Sequence, residues 1–303
     1  MLANFRGLNI KHKEERIKKL FDELQDLFPN TNVDQKRHKI PELFRFLKVL
    51  SKILLSFSLF VLTVFASVPF FMKFYSLLTS NDIKMAMFYT IQWRPENNAL
   101  FFLIYLQQIV YSLTGLIFLN RNDTLYCICF ELICKLYEVI AHDLRNLKNQ
   151  HELGILIENH EKLLELTSKF DEVFCVGNLL NILLSILAMS VGLIQVLATE
   201  SFEMKIKYAV CFLVLIPQVF ILSFWGDKVE KASESIAKAA YDRWKIEDDK
   251  KMKTSLQLIL IRSQRPQRLT GYKFIKLSCG TFTAVIKTAY SYYTLLMTVH
   301  END

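Results

Sequence analysis

Five apolar runs, each long enough to cross a bilayer as a helix, divide this 303-residue chain: about 53–71, 99–120, 173–199, 208–226 and 277–299. A crossing needs roughly 17–25 apolar residues at ~1.5 Å per residue. Only the fifth run carries a charge, Lys287. Residues 1–52 are charged and read as a cytosolic N-terminal segment, and 53–299 reads as a transmembrane bundle. The stretches between runs keep helical spacing: Ile157, Leu164 and Phe170 fall along one flank, and 228–262 also reads as helix. The second to fifth spans are therefore expected to continue as helices into the cytosol and to pack there, 228–276 included. Residues 14–27 are amphipathic and read as a cytosolic helix rather than a membrane-surface anchor. Breaks are expected at Leu27–Asn30 and at Pro41. The fold class is all-α, a multi-span transmembrane helical bundle with cytosolic helical extensions.

Positive charge sets the orientation. The segment before the first span is dense in Lys and Arg, ending in Arg45, Lys48 and Lys52. The link between spans one and two offers only Lys73, Lys84 and Arg94, and the link between three and four only Lys205 and Lys207. The link between four and five is rich again, from Lys228 to Arg268, and Arg121–Lys169 is moderately basic. Loops rich in Lys and Arg stay in the cytosol. The N-terminus is expected inside and, after five crossings, the C-terminus outside. The outer loop between spans one and two, Lys73 to Asn98, holds Phe74, Tyr75, Phe88, Tyr89 and Trp93 and is expected to fold over the bundle as a lid.

Composition narrows the class further. The chain is 52% hydrophobic, with 24 Phe against 8 Gly and 6 Pro, which favours long unbroken helices in a membrane. The formal charge of +7 lies beside the apolar runs, so it speaks for topology and not for nucleic acid. No secretory leader is visible in the first fifty residues. Cys127, Cys129 and Cys134 share a helix without a C-x-x-C pair, and His142, His151 and His160 complete no zinc spacing. They read as buried reduced thiols, so no metal or cofactor is expected. The glycosylation triplet Asn122-Asp123-Thr124 falls on the cytosolic side. No P-loop, G-x-G-x-x-G, H-E-x-x-H or G-x-S-x-G is present, and the Asp248–Asp249 pair sits in a solvated charged run. An enzyme is not expected.

The fifth run carries the most specific pattern. Thr281, Ala284, Thr288, Ser291, Leu295 and Thr298 recur at steps of three and four and share one helix face. Such a face suits a water-lined path, or close packing of helices. Lys287 either snorkels to the cytosolic end, roughly 9 Å away, or faces a wet vestibule. Leu295 and Val299, near the outer end, could ring an axis as a dewetting gate or contact lipid.

The C-terminal region from Ala237 to Leu296, AKAAYDRWKIEDDKKMKTSLQLILIRSQRPQRLTGYKFIKLSCGTFTAVIKTAYSYYTLL, resembles the insect odorant receptor family. Tyr241-x-x-Trp244, the Gln264–Pro266 turn and Ala289-Tyr290-Ser291-Tyr292 carry the likeness, with Leu27-Phe28-Pro29 and the stretch around His160 upstream. The family has seven spans. The five here match its third to seventh, so the first two are absent, as in a truncated or decayed gene or a splice form. The preserved N-in, C-out orientation follows because two spans are an even number.

The resemblance implies an odorant receptor subunit of a ligand-gated cation channel in the plasma membrane. It implies a tetramer formed with an odorant co-receptor, a small volatile ligand and surrounding membrane lipid. Leu295, Thr298 and Val299 then fall at the gate, with Ser291 on the pore face, and Tyr241 and Trp244 fall in the cytosolic anchor of 228–276. The implied odorant pocket lies in the outer half of the bundle, with Thr63, Ser67 and Phe70 on span one, Phe102 and Tyr105 on span two, and Tyr208 and Phe212 on span four. Ligand binding shifts the equilibrium only if the open state binds better. Gustatory receptors share the architecture, but the Gln and Phe that close their last span are Thr298 and Val299 here. A G-protein-coupled receptor requires an outside N-terminus and carries D-R-Y and N-P-x-x-Y, which are missing. Transporters show broken helices and inverted repeats, and neither is visible.

Overall fold

The structure, a computed structural model, describes residues 14–29, 31–79, 98–198 and 202–301. The described elements are α1 (Glu14–Asp26), α2 (Asn32–Arg37), α3 (Ile40–Thr79), α4 (Asn98–Arg145), α5 (Gln150–Ala198), α6 (Phe202–Ile246), α7 (Lys250–Ser263), a hairpin of β1 (Thr270–Gly271) and β2 (Ile275–Lys276), and α8 (Cys279–Glu301). The described part of each of the five apolar runs lies on its own helix, α3 to α6 and α8, except that the fifth run begins two residues before α8. Among the described residues, three segments are long and apolar enough to cross a membrane: Ile40–Val64, Leu100–Arg145 and Gln150–Val196. Of the expected lid, Phe74 and Tyr75 lie on α3, which continues through them to Thr79, and Phe88, Tyr89 and Trp93 lie outside the described residues.

Most of the dry core's aromatic packing sits beyond the apolar runs, where the helices continue. Tyr126, Phe130, Ile133 and Tyr137 of α4 pack with Leu163, Phe170 and Phe174 of α5 and with Val229, Ile236 and Ala239 of α6. Tyr126 touches Phe130 and Phe174 edge-on, at centroid distances of 4.6 and 5.4 Å. Each buried aromatic side chain removes a large apolar area from water, worth about 25 cal/mol per Å². By contrast Phe57, Phe60, Leu103, Leu106 and Leu187, inside the apolar runs, are exposed in the isolated chain, as a lipid-facing surface is. Cys127, Cys129 and Cys134 are buried free thiols in the core. Burial pushes the Cys134 thiol well above its ordinary range.

Four boundaries differ from those expected. The break before the first span falls at Lys39, whose φ is 54°, and not at Pro41. Pro41 is in the first turn of α3, where a missing N–H costs nothing. That helix also runs past residue 71 to Thr79. The single helix expected over 228–262 is divided at 247–249, where Asp249 accepts the Lys251 N–H at 3.0 Å and Glu247 accepts the N–H groups of Asp248 and Asp249, each at 3.1 Å. These carboxylates cap α7 and let the chain reverse. Finally, the fifth span does not continue into the cytosol as a helix. The hairpin precedes it, because Pro266 ends helical bonding and Tyr272 and Lys273, with φ of 52° and 61°, close a tight turn.

Candidate functional site

The inner ends of the second to fifth runs meet at one level. The Tyr126 hydroxyl donates to the Leu222 carbonyl at 3.3 Å, and the Trp225 indole N–H donates to Cys127 Sγ at 2.9 Å. A Cβ on Gly226 would fall 2.2 Å from the Leu277 carbonyl oxygen, so α6 and the entry to α8 touch backbone to backbone. Asp227 accepts the first N–H of α8, from Cys279, at 3.0 Å.

The linker into α8 is fastened by acids. Asp171 of α5 accepts both the N–H and the hydroxyl of Thr270, each at 2.7 Å. Glu230 of α6 accepts from Arg268 at 2.8 Å and from Lys276 at 2.6 Å. Burial raises the Glu230 carboxyl, but those hydrogen bonds and charges outweigh it and hold it below the usual carboxylate range. The sequence reading missed Gly226, Asp171, Asp227 and Glu230. The one available signal was polar residues at the edges of apolar runs.

α8 packs by one face only. Val285 and Ala289 are buried, and the Ser190 hydroxyl of α5 lies 3.4 Å from the Ala289 carbonyl. The hydroxyl stripe points elsewhere: Ser291, Leu295 and Thr298 are exposed, and a groove of about 380 Å³ is lined by Lys287, Thr288, Ser291, Tyr292 and Leu295. Close packing within the chain therefore uses Ala289 and not the stripe. Thr298 turns its hydroxyl back to the Thr294 and Leu295 carbonyls, at 3.0 and 2.8 Å. The Val299 side chain lies outside the described residues.

The residues expected around a ligand fall into separate groups. The Tyr105 hydroxyl donates to the Ala66 carbonyl at 2.6 Å, which sets α4 beside Ser67. Tyr105 is buried and its ring stacks on Phe101 at 6.2 Å. Thr63 is exposed and donates to the Leu59 carbonyl, while Ser67 is half-buried and donates to the Val64 carbonyl. Phe102 is exposed, outside the Tyr105 contact. Phe212, half-buried, lies 3.3 Å from where a Cβ on Gly192 would stand, so it joins α6 to α5. Tyr208 is half-buried on the same helix. The Phe70 side chain lies outside the described residues.

Beyond the fourth apolar run, Tyr241 and Trp244 stack at 6.3 Å, with the Lys253 ammonium 4.9 Å from the Trp244 ring. Tyr241, Ile246, Leu258 and Ile261 are exposed there, although this region lies outside the apolar runs. A second cluster was invisible to spacing. His38 Nε2 and His142 Nδ1 sit 3.3 and 3.2 Å from one Asp143 oxygen, which both rings share and which joins the start of α3 to the end of α4. Burial lowers the His38 pKa, against the opposing charge of Asp143.

An all-α bundle of this kind, with long apolar helices and a helical core beyond the apolar runs, is a multi-pass membrane protein. The model of the 7tm odorant receptor family matches residues 1–290, and the chain belongs to that family. It is a family of receptors and not of enzymes. Odorant receptor 67c of Drosophila melanogaster is 26% identical over 325 aligned residues, covering 100% of this chain and 78% of that protein. Odorant receptor 67a of the same fly is 28% identical, covering 80% of this chain and 64% of that protein. Among solved structures, the insect olfactory receptor OR5 from Machilis hrabei, in complex with eugenol, superposes with a TM-score of 0.80 over 98% of this chain and 78% of that one. Its 13% identity carries the fold and nothing finer.

Proposed function

We propose that the chain is an odorant-tuned subunit of a ligand-gated cation channel, assembled with an odorant co-receptor in the plasma membrane as a tetramer. Its N-terminus is cytosolic and its C-terminus extracellular. The observation that carries this reading is the unpartnered face of α8. A helix that packs by Val285 and Ala289 and leaves Ser291, Leu295 and Thr298 uncovered is suited to line a path between subunits. Leu295 and Val299 supply an apolar constriction, and Thr298 and Ser291 supply hydroxyls below and beside it.

Two further observations support it. Exposed Tyr241, Ile246, Leu258 and Ile261 form an apolar surface off the membrane, as a subunit contact needs. The linker held by Asp171, Asp227 and Glu230 ties α5 and α6 to the entry of α8. A small apolar volatile enters the outer half of the bundle near Thr63, Ser67, Phe70, Phe102, Tyr105, Tyr208 and Phe212. Movement of α5 and α6 then reaches α8 through that linker.

The test is co-expression with the co-receptor in cells without added G-protein components, with current recorded as odorants are applied. Odorant-evoked cation current is expected. Good surface expression with no current, across a broad odorant panel, overturns the reading.

A further inference from the structure

We propose that the groove between α1, α3 and α4 seats the phosphate-bearing headgroup of an acidic phospholipid from the cytosolic leaflet. The groove has a volume of about 680 Å³, and no carboxylate lines it. Three cations from three different helices do: Lys18 of α1, Lys52 of α3 and Arg121 of α4. Lys18 and Lys52 have no ion-pair partner among the described residues. The remaining wall is largely apolar, and Leu55 and Ile117 on it are exposed in the isolated chain.

The level of the groove favours a lipid over a soluble anion. Lys52 is the last charge before the first apolar run, and Arg121 directly follows the second. The Ser58 hydroxyl lies 3.0 Å from Asn120 Oδ1, which sets the start of the first apolar run beside the end of the second. Arg121 therefore stands near the level of Ser58, and Lys52 lies roughly 9 Å farther toward the charged side, at ~1.5 Å per residue. α1 lies across this boundary and is held by Arg16–Glu172 at 2.6 Å and by the edge contact of Phe21 on Phe170 at 5.8 Å. The result is a groove at the edge of both apolar runs in which cations and apolar side chains share the wall. A headgroup phosphate meets the cations while an acyl chain runs along Leu55 and Ile117. A free phosphate would leave that apolar wall uncovered.

The site rests on the membrane orientation proposed above, and its test is independent of conduction. The full chain is reconstituted in phosphatidylcholine nanodiscs with trace photoactivatable phosphatidylserine or photoactivatable phosphatidylcholine, and labelled peptides are mapped. The acidic probe is expected to label α1, α3 and α4 around this groove in preference to the neutral probe. Lys18→Gln with Lys52→Gln is expected to cut that labelling roughly tenfold, and Lys18→Arg with Lys52→Arg to retain it.

Equal labelling by both probes, labelling indifferent to the charge-removing pair, or full competition by soluble glycerophosphoserine overturns the site. An unchanged helical circular-dichroism spectrum excludes misfolding of the variants. Antibody access to terminal tags in intact cells separates failure of the site from failure of the orientation.

Discussion

At the scale of single residues, burial and charge make definite demands. His160 is 5% exposed, and its Nε2 has no hydrogen-bond partner. Burial chiefly, with the Arg262 charge, lowers its pKa to about 4. In the unfolded chain it titrates near ~6.5. The folded form is thus fully favoured above pH ~6.5. As pH falls from there to about 4, the unfolded chain takes up a proton that the folded chain refuses. Stability drops through that window by at most about 3 kcal/mol. His38 titrates in the same direction, so the comparison between variants is what matters. His160→Phe loses no hydrogen bond and should lose less of its melting temperature between pH 7 and pH 5 than the parent does; parallel losses would contradict this. Leu295→Ala belongs to the same scale. Removing an apolar constriction should raise the current measured without odorant, and an unchanged leak in a responsive channel would remove Leu295 from the gate.

At the scale of elements, the close approach of α6 to the entry of α8 is the most exacting. Gly226→Ala drives a methyl group against a backbone carbonyl, which cannot rotate away. The junction should open at a cost of about 1–3 kcal/mol or more, seen as a lowered melting temperature in detergent. Gly177→Ala is the matching control, because its new Cβ meets nothing within 4 Å and adds helix propensity. Equal destabilisation of the two would show that the contact is unimportant.

The helices themselves were legible because long apolar runs and 3.6-residue spacing are local signals. The ends were less so. The stop at Glu247–Asp249 depends on which carboxylate turns back to cap which N–H. The hairpin before α8 depends on Tyr272 and Lys273 accepting a left-handed backbone because Asp171 and Glu230 hold its flanks. Such choices are made by tertiary partners remote in sequence, so no local pattern announces them. The hydroxyl stripe of α8 was legible as a face, but which neighbour it met was not. The packing residue is Ala289, and the stripe stays open.

At the scale of the whole molecule, stability and function are divided along the bundle. The dry aromatic core lies in the helical extensions beyond the apolar runs, around Tyr126, Phe130, Tyr137 and Phe170. The membrane portion of the isolated chain leaves large apolar side chains and the polar face of α8 uncovered. The candidate ligand residues were legible only as outer aromatic and hydroxyl side chains. Their division between the Tyr105–Ala66 contact and the Phe212–Gly192 contact required three-dimensional structure.

The central claim is that α8 borders an ion path, and a thiol introduced at Ser291 tests it directly. Ser291→Cys is co-expressed with the co-receptor, and a membrane-impermeant cationic methanethiosulfonate reagent is applied during odorant-evoked current. Progressive loss of current is expected for Ser291→Cys and not for the parent chain or for Ala289→Cys on the packed face. Current that persists in Ser291→Cys under reagent shown to reach the outer vestibule would place the conduit elsewhere.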